Sequence, residues 1–243
     1  MDEDLRSHVA LVTGASRGIG AAIASRLAQA GAAVAINYLE SAAKAEKLAG
    51  RLTQSGHRVM TVQCDVSRAE DVTRMVQQVE GKLGQVDILV NNVGIAIRRT
   101  IDDLSEEDFD RTIAVNLKST FLCMKAVLPA MRSKGWGRIV NVTSGAARSA
   151  GTIGPHYNAS KAGMEGLTRG YAARLAATGI TVNNVAPSLI ATDMMTGQDQ
   201  LISRIPMGRF GTPEEVAHAV MMLIANPYMT GQTVALSGGM AFN

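Results

Sequence analysis

From end to end the chain alternates short apolar, β-branched runs with helix-length amphipathic stretches, and no other feature constrains the fold as strongly. The runs fall at 8–12, 33–37, 59–63, 86–90, 138–142, 180–185 and 232–236, seven in all, with a helix-length segment before each new one. Strands that are apolar on both faces and lie a dozen or more residues apart need crossover helices, so the pattern predicts a parallel sheet covered on both sides. Composition agrees: 47% of residues are hydrophobic but only 4% aromatic, which suits such a sheet better than an aromatic-rich sandwich. The 243 residues contain no linker, repeat or low-complexity tract, so the whole of 1–243 is expected to form one domain. Gly31 and Gly56 mark helix ends, Ser67 and Ser105 helix starts, and Ser105 with Asp108 forms a capping pair. The segment 188–211 lacks periodicity, and a loop of that length in a compact domain is expected to be functional, here a substrate lid.

Charge and rare residues exclude several classes. With 24 basic and 21 acidic residues the net charge is +3, and the longest basic run is Arg98-Arg99, so a solvated surface is expected and no nucleic-acid partner. Cys64 and Cys123 stand far apart in apolar sequence and read as buried thiols of a reducing compartment. His8, His57, His156 and His218 are scattered without ligand spacing, so no metal site is expected. The start, Met1-Asp2-Glu3-Asp4-Leu5, is acidic where a secretory signal is basic, and no apolar run approaches the ~20 residues of a bilayer span. A cytoplasmic protein without a membrane partner is the expectation.

The first strand runs straight into Thr13-Gly14-Ala15-Ser16-Arg17-Gly18-Ile19-Gly20 and then a helix. In that setting Gly14 permits a tight turn, Gly18 lets a pyrophosphate approach the backbone, and Gly20 lets helix and strand pack closely. An ordinary glycine loop is the alternative, which the strand-to-helix placement disfavours. Further on, Tyr157 and Lys161 stand one helical turn apart, where an ammonium lowers a phenol pKa toward the working pH of a general acid. Ser144 follows the fifth strand, at the sheet edge where open α/β folds bind ligands, although a polar turn would read the same way. Asn91-Asn92-Val93-Gly94 follows the fourth strand, and Asn116 sits in an otherwise apolar helix, where asparagine by itself suggests only local bonding.

Together these motifs, in this order and extending to Ser237-Gly238-Gly239-Met240, resemble the short-chain dehydrogenases/reductases of the compact type over essentially the whole chain. The resemblance implies a Rossmann-type doubly wound fold in which Tyr157 is the acid/base, Ser144 polarises the carbonyl, Lys161 holds the nicotinamide ribose and tunes Tyr157, and Asn116 sustains a proton-relaying water chain. It also implies that a nicotinamide cofactor lies along Gly14, Ser16, Arg17, Gly18, Ile19 and Gly20, with Asp65 and Val66 at the adenine. Asn92, Val93, Gly94, Pro187, Ser188, Ile190 and Thr192 would flank the rest of it. Family members specific for NAD carry a carboxylate at the end of strand two, whereas this chain has Asn37 and then Tyr38. With Arg17 placed to pair with a 2′-phosphate, and Tyr38 or Ser41 adding hydrogen bonds, NADPH is expected. Two departures from the family pattern stand out: Pro187-Ser188 where Pro-Gly is usual, and Val93 where alanine is common.

Within the family the resemblance is strongest to the 3-oxoacyl-(acyl-carrier-protein) reductases, which implies reduction of a 3-oxoacyl thioester to the 3-hydroxyacyl form. Other ketones, sugars, polyols or steroids are the alternative substrates, and a non-catalytic nucleotide-binding regulatory module is the alternative of another class. Met194, Met195, Leu201 and Ile202 would cover an acyl chain. Arg132, Lys134, Arg169 and Arg174 would meet an acidic acyl carrier protein, and the apolar helix 164–175 with the last strand would build a homotetramer.

Overall fold

The computed structural model describes residues 4–241, without the side chain of Met194; the first three residues of the acidic N-terminal stretch lie outside the described residues. Seven strands form one sheet: β1 (Val9–Val12), β2 (Ala33–Tyr38), β3 (Val59–Gln63), β4 (Ile88–Asn91), β5 (Gly137–Val142), β6 (Ile180–Pro187) and β7 (Thr233–Leu236). All pairings are parallel, in the order β3-β2-β1-β4-β5-β6-β7. The chain therefore winds outward from β1 to β3 and then restarts beside β1 with β4. Between those two strands the crossovers diverge to opposite faces, leaving a crevice at their carboxyl ends where ligands bind in open α/β sheets.

Period-two alternation divides the core between the two faces. Ala10, Val12, Val34, Ile36, Val140 and Val142 face α1 (Gly18–Gln29), α2 (Ala42–Gln54) and α7 (Pro213–Ala225). Val9, Leu11, Ala33, Ala35, Leu89 and Ile139 face α3 (Ala69–Lys82), α5 (Ser119–Lys134) and α6 (Pro155–Leu175). This is why the strands read as continuous apolar runs.

The boundaries differ from expectation in ways that bear on the site. β2 runs one residue past Asn37 to Tyr38, and β6 runs on to Pro187. α3 begins after Arg68 rather than Ser67, because Asp65 has already accepted the Ser67 N–H and hydroxyl. Ser105 does cap α4 (Glu106–Thr112), accepting from the Asp108 N–H. A π-helical turn, Ile113–Lys118, joins α4 to α5. The joined helix Glu106–Lys134 is long and apolar enough to cross a membrane by length and composition, contrary to the run-length expectation. Its Cys123, Met124, Val127 and Met131 are buried against the sheet, so it is a core helix.

Residues 188–211 are more ordered than the lack of periodicity suggests. Two short 3₁₀ turns, Asp193–Met195 and Asp199–Arg204, lie within the segment, and an isolated bridge between Ile190 and Gly211 closes its base.

Candidate active site

The glycine loop and the loop after β4 are bonded into one unit. Thr13 Oγ1 accepts from the N–H groups of Asn92 (2.9 Å) and Val93 (3.2 Å), while Asn92 Nδ2 donates to the carbonyls of Thr13 and Gly14, both at 3.0 Å. Gly14 and Gly18 adopt φ of +60° and +54°, which only glycine accepts easily. A Cβ at Gly20 would lie 2.5 Å from the Gly14 carbonyl oxygen, so α1 can approach β1 this closely only with glycine there. Arg17, at the N-cap of α1, makes no side-chain cap, which leaves the first N–H groups of that helix to a ligand.

Two of the expected cofactor ligands have side chains bonded to protein. Asn37 is buried: its Oδ1 accepts from Gly14 N at 3.1 Å, and its Nδ2 reaches the Val62 and Cys64 carbonyls. The period-two alternation of β2 puts its side chain on the α3 side, so it shapes the glycine loop from beneath and the strand's last outward position belongs to Tyr38. Asn92 is likewise committed to the loop carbonyls. Asp65 is engaged by Ser67 as described, Val66 is buried, and Ser41 forms the N-cap of α2.

Sequence reasoning missed Lys44, in the first turn of α2, because a lysine there reads as a solvated helix face. With Arg17 it flanks the outer end of β2, both side chains reaching Asp193 Oδ2, at 3.2 Å from Lys44 Nζ and 3.5 Å from Arg17 Nη1.

On the other side of the crevice, Ser144, Tyr157, Lys161 and Asn116 come together. Ser144 follows β5, accepts from Ala146 N at 3.1 Å and pulls the pKa of the nearby Tyr157 phenol down. Tyr157 lies in the first turn of α6, whose start is pinned by His156 Nε2 against the Ile97 carbonyl (2.9 Å). Asn158, also missed from sequence, donates to the Ala146 (2.7 Å) and Ser149 (2.5 Å) carbonyls, tying α6 to the Ser144 turn. Lys161 Nζ is buried, donates to the Val142 carbonyl at 3.0 Å and stands 5.8 Å from the Tyr157 ring centre. A Cβ on Gly94 would come within 3.2 Å of that ammonium, so glycine keeps the approach to Lys161 open.

The expected lowering of the Tyr157 pKa is not seen. Burial pushes the phenol up, Ser144 opposes this only in part, and burial lowers Lys161 to about 8. Desolvation therefore prevails, and the phenol stays protonated, the form that an acid donating to a carbonyl oxygen requires.

Asn116 is fully buried in the π-helical turn, Oδ1 accepting from Ile95 N at 2.8 Å and Nδ2 donating to the Ile95 carbonyl and to Ser160 Oγ, both at 3.1 Å. Ser160 in turn donates to the Tyr157 carbonyl. Both polar groups of the asparagine side chain are thus bonded to protein. It ties the loop after β4 to α6.

Beyond β6, no non-glycine residue among the described ones has positive φ, so Ser188 adopts a backbone conformation open to any residue, and replacing the usual glycine imposes no strain. Val93 fills the space beside Gly14, its Cγ2 3.0 Å from where a Gly14 Cβ would lie. Ile190 is buried, and Thr192 packs over Gly18. Among the described residues no three His, Cys, Asp or Glu side chains gather as a metal site.

The sequence profile of a family described as enoyl-(acyl carrier protein) reductase matches residues 14–241. A 3-oxoacyl-[acyl-carrier-protein] reductase of Synechocystis sp. is 40% identical over 241 residues, covering 97% of this chain and 98% of that protein. One from Staphylococcus epidermidis is 41% identical over 240 residues, covering 95% and 98%. The crystal structure of a dehydrogenase/reductase from Sinorhizobium meliloti superposes with a TM-score of 0.90 at 36% identity, covering 98% of this chain and 96% of that one. Profile, relatives and fold agree with a crevice that sets two hydroxyls and a buried lysine opposite a glycine loop, and the chain belongs to the short-chain dehydrogenase/reductase family of oxidoreductases.

Proposed function

We propose that this protein reduces a 3-oxoacyl thioester to its 3-hydroxyacyl form with NADPH. The observation that carries the reading is the gathering of Ser144, Tyr157 and the buried Lys161 at the carboxyl edge of the sheet, with the glycine loop across the crevice. The residues present fit a dinucleotide: uncapped N–H groups at α1, glycines where side chains would block the approach, and Arg17 and Lys44 in place of a strand-two carboxylate. Gly14, Ser16, Arg17, Gly18, Ile19 and Gly20 hold the phosphates, and Tyr38 and Ser41 add to the 2′-phosphate pocket. Asp65 and Val66 border the adenine, while Val93, Gly94, Pro187, Ser188, Ile190 and Thr192 flank the nicotinamide end.

A bound nicotinamide supplies the hydride. Ser144 Oγ holds the substrate carbonyl oxygen, Tyr157 Oη gives that oxygen its proton as charge develops on it, and Lys161 binds the ribose from its position under Gly94. Residues 188–211 cover the substrate as a lid, with Met195, Leu201 and Ile202 half-buried along it. The expected helix 164–175 is largely core, since Met164, Thr168 and Leu175 are buried. The face left for a second copy is a groove of about 590 Å³ lined by Ile113, Leu117, Phe121, Gly163, Leu167 and Tyr171, and assembly there leads to a homotetramer. Arg132, Arg169 and Arg174 are exposed for an acidic carrier protein, whereas Lys134 is held by Asp87 at 2.6 Å. The protein works in the cytoplasm.

The test is NADPH oxidation with acetoacetyl thioester on coenzyme A and on carrier protein, beside crotonyl thioester. Consumption with the 3-oxo compounds alone is expected. Turnover of crotonyl thioester alone would move the activity to enoyl reduction, and turnover of unrelated ketones alone would refute the acyl reading.

A further inference from the structure

Two cations from different elements converge on one carboxylate oxygen at the outer end of β2. Lys44 Nζ lies 3.2 Å and Arg17 Nη1 3.5 Å from Asp193 Oδ2, and the lysine donates a hydrogen bond to it. Asp193 begins the first 3₁₀ turn of the segment 188–211, far along the chain from both partners. Its neighbour Thr192 packs over Gly18, with Cγ2 3.4 Å from where a Cβ on that glycine would lie. The segment thus rests on the glycine loop and grips the basic pair beside it.

We propose that Asp193 is an internal competitor for the 2′-phosphate subsite: its carboxylate and the 2′-phosphate of the cofactor exclude one another at Arg17 and Lys44, and Lys44 is a second cation of that subsite. This rests on the NADPH reading above. Two positive groups aimed at one oxygen form an anion site, and the occupant here is the protein's own carboxylate. All three side chains are more than half exposed, at 59% for Arg17, 55% for Lys44 and 65% for Asp193, so each pair is weak and exchangeable. A phosphate monoester carries about −1.5 to −2 charges at neutral pH, with three acceptor oxygens, against one charge on the carboxylate. It therefore displaces Asp193 and, in doing so, frees the segment from its hold at the glycine loop. The adjacent cations keep the Asp193 carboxyl below its ordinary pKa, so the competitor is charged throughout the neutral range. A cofactor lacking the 2′-phosphate leaves Asp193 in place. Discrimination between the two nicotinamide cofactors and the freedom of the segment are then set by the same three side chains.

Calorimetric titration of the whole protein at low salt with 2′,5′-ADP and 5′-AMP tests this in wild type, Asp193→Asn and Lys44→Met. Asp193→Asn is expected to bind 2′,5′-ADP about threefold to tenfold more tightly, because only two exposed, weak pairs are removed, with 5′-AMP unchanged. Lys44→Met is expected to weaken 2′,5′-ADP about fivefold to tenfold, again without effect on 5′-AMP. If wild type prefers 2′,5′-ADP but Asp193→Asn changes nothing, or tightens both nucleotides alike, the competition is refuted and the NADPH reading stands. Equal affinity of wild type for the two nucleotides would overturn both.

Discussion

Two regions meet over the crevice and are held in opposite ways. Around Lys161 the polar groups are buried and bonded to protein: Asn116 to Ile95 and Ser160, Ser160 to Tyr157, Lys161 to Val142. Around Asp193 the contacts are ionic, exposed and few. Burial makes the first region expensive to distort, because an unpaired buried donor or acceptor costs about 1–3 kcal/mol, whereas an exposed ion pair contributes at most about 1. The groups proposed to meet a reacting oxygen within a fraction of an ångström sit in the first region. The second can let go without threatening the fold.

The largest effect expected on the rigid side is loss of chemistry without loss of structure. Tyr157→Phe removes the proposed acid and leaves the ring, so turnover should fall by about 10²–10⁴ while cofactor binding, followed by nicotinamide fluorescence, is retained. Full activity in this variant would remove Tyr157 from the chemistry.

Lys161→Met asks whether the buried cation is held for function against stability. The Lys161 pKa, about 8 in the fold against 10.5 for the free group, is lowered by burial. Below pH 8 the folded and unfolded states are both protonated and the full penalty is present. Between the two values the unfolded chain holds more protons, so this group makes stability rise with pH. Lys161→Met should therefore raise stability at pH 7, by at most about 3 kcal/mol, flatten the rise between pH 8 and 10.5 in urea unfolding, and cut turnover by roughly 10² or more. A variant less stable at pH 7 would mean that the bond to Val142 outweighs the desolvation.

Thr168 lies deeper in the same rigid region. Its hydroxyl accepts from Asn141 Nδ2 at 2.8 Å and donates to Asn184 Oδ1 at 2.6 Å, while Asn91 bonds Asn141 and Asn184 bonds Thr233. This buried chain of side chains crosses from β4 to β7 beneath α6. Thr168→Val keeps the shape and strands a donor and an acceptor, so a loss of about 2–3 kcal/mol is expected by urea denaturation with an unchanged slope. A loss under 0.5 kcal/mol would indicate that the chain repairs itself.

What could be read from sequence follows the same division. The seven strands were legible because a sheet buried on both faces leaves long apolar runs, and the glycine loop because its positions admit no other residue. Tyr157, Lys161 and Ser144 were legible through helical spacing and the sheet edge. The inward turn of Asn37 was not, since the run 33–37 is apolar on both faces and its alternation does not say which face lies toward the glycine loop. Asn158 and Lys44 were hidden because their partners are backbone carbonyls and a residue in a distant loop, contacts that leave no periodic trace. The raised Tyr157 pKa was missed because spacing shows the cation and not the burial.

Ser188, where β6 passes into the segment 188–211, should show the smallest effect. Its N–H donates to the Leu236 carbonyl at 2.9 Å, extending the β6–β7 pairing, and its hydroxyl stands 2.9 Å from where a Cβ on Gly145 would lie. No positive φ is needed there, so Ser188→Gly relieves no strain and adds only unfolded-chain freedom, for a loss of about 0.5–1 kcal/mol. Turnover should change less than about twofold, because the backbone bond of residue 188 to Leu236 survives the substitution. A loss above about 2 kcal/mol would mean that the hydroxyl bears on the Gly145 turn, and through it on Ser144, and would place Ser188 with the buried, bonded region instead of the exposed one.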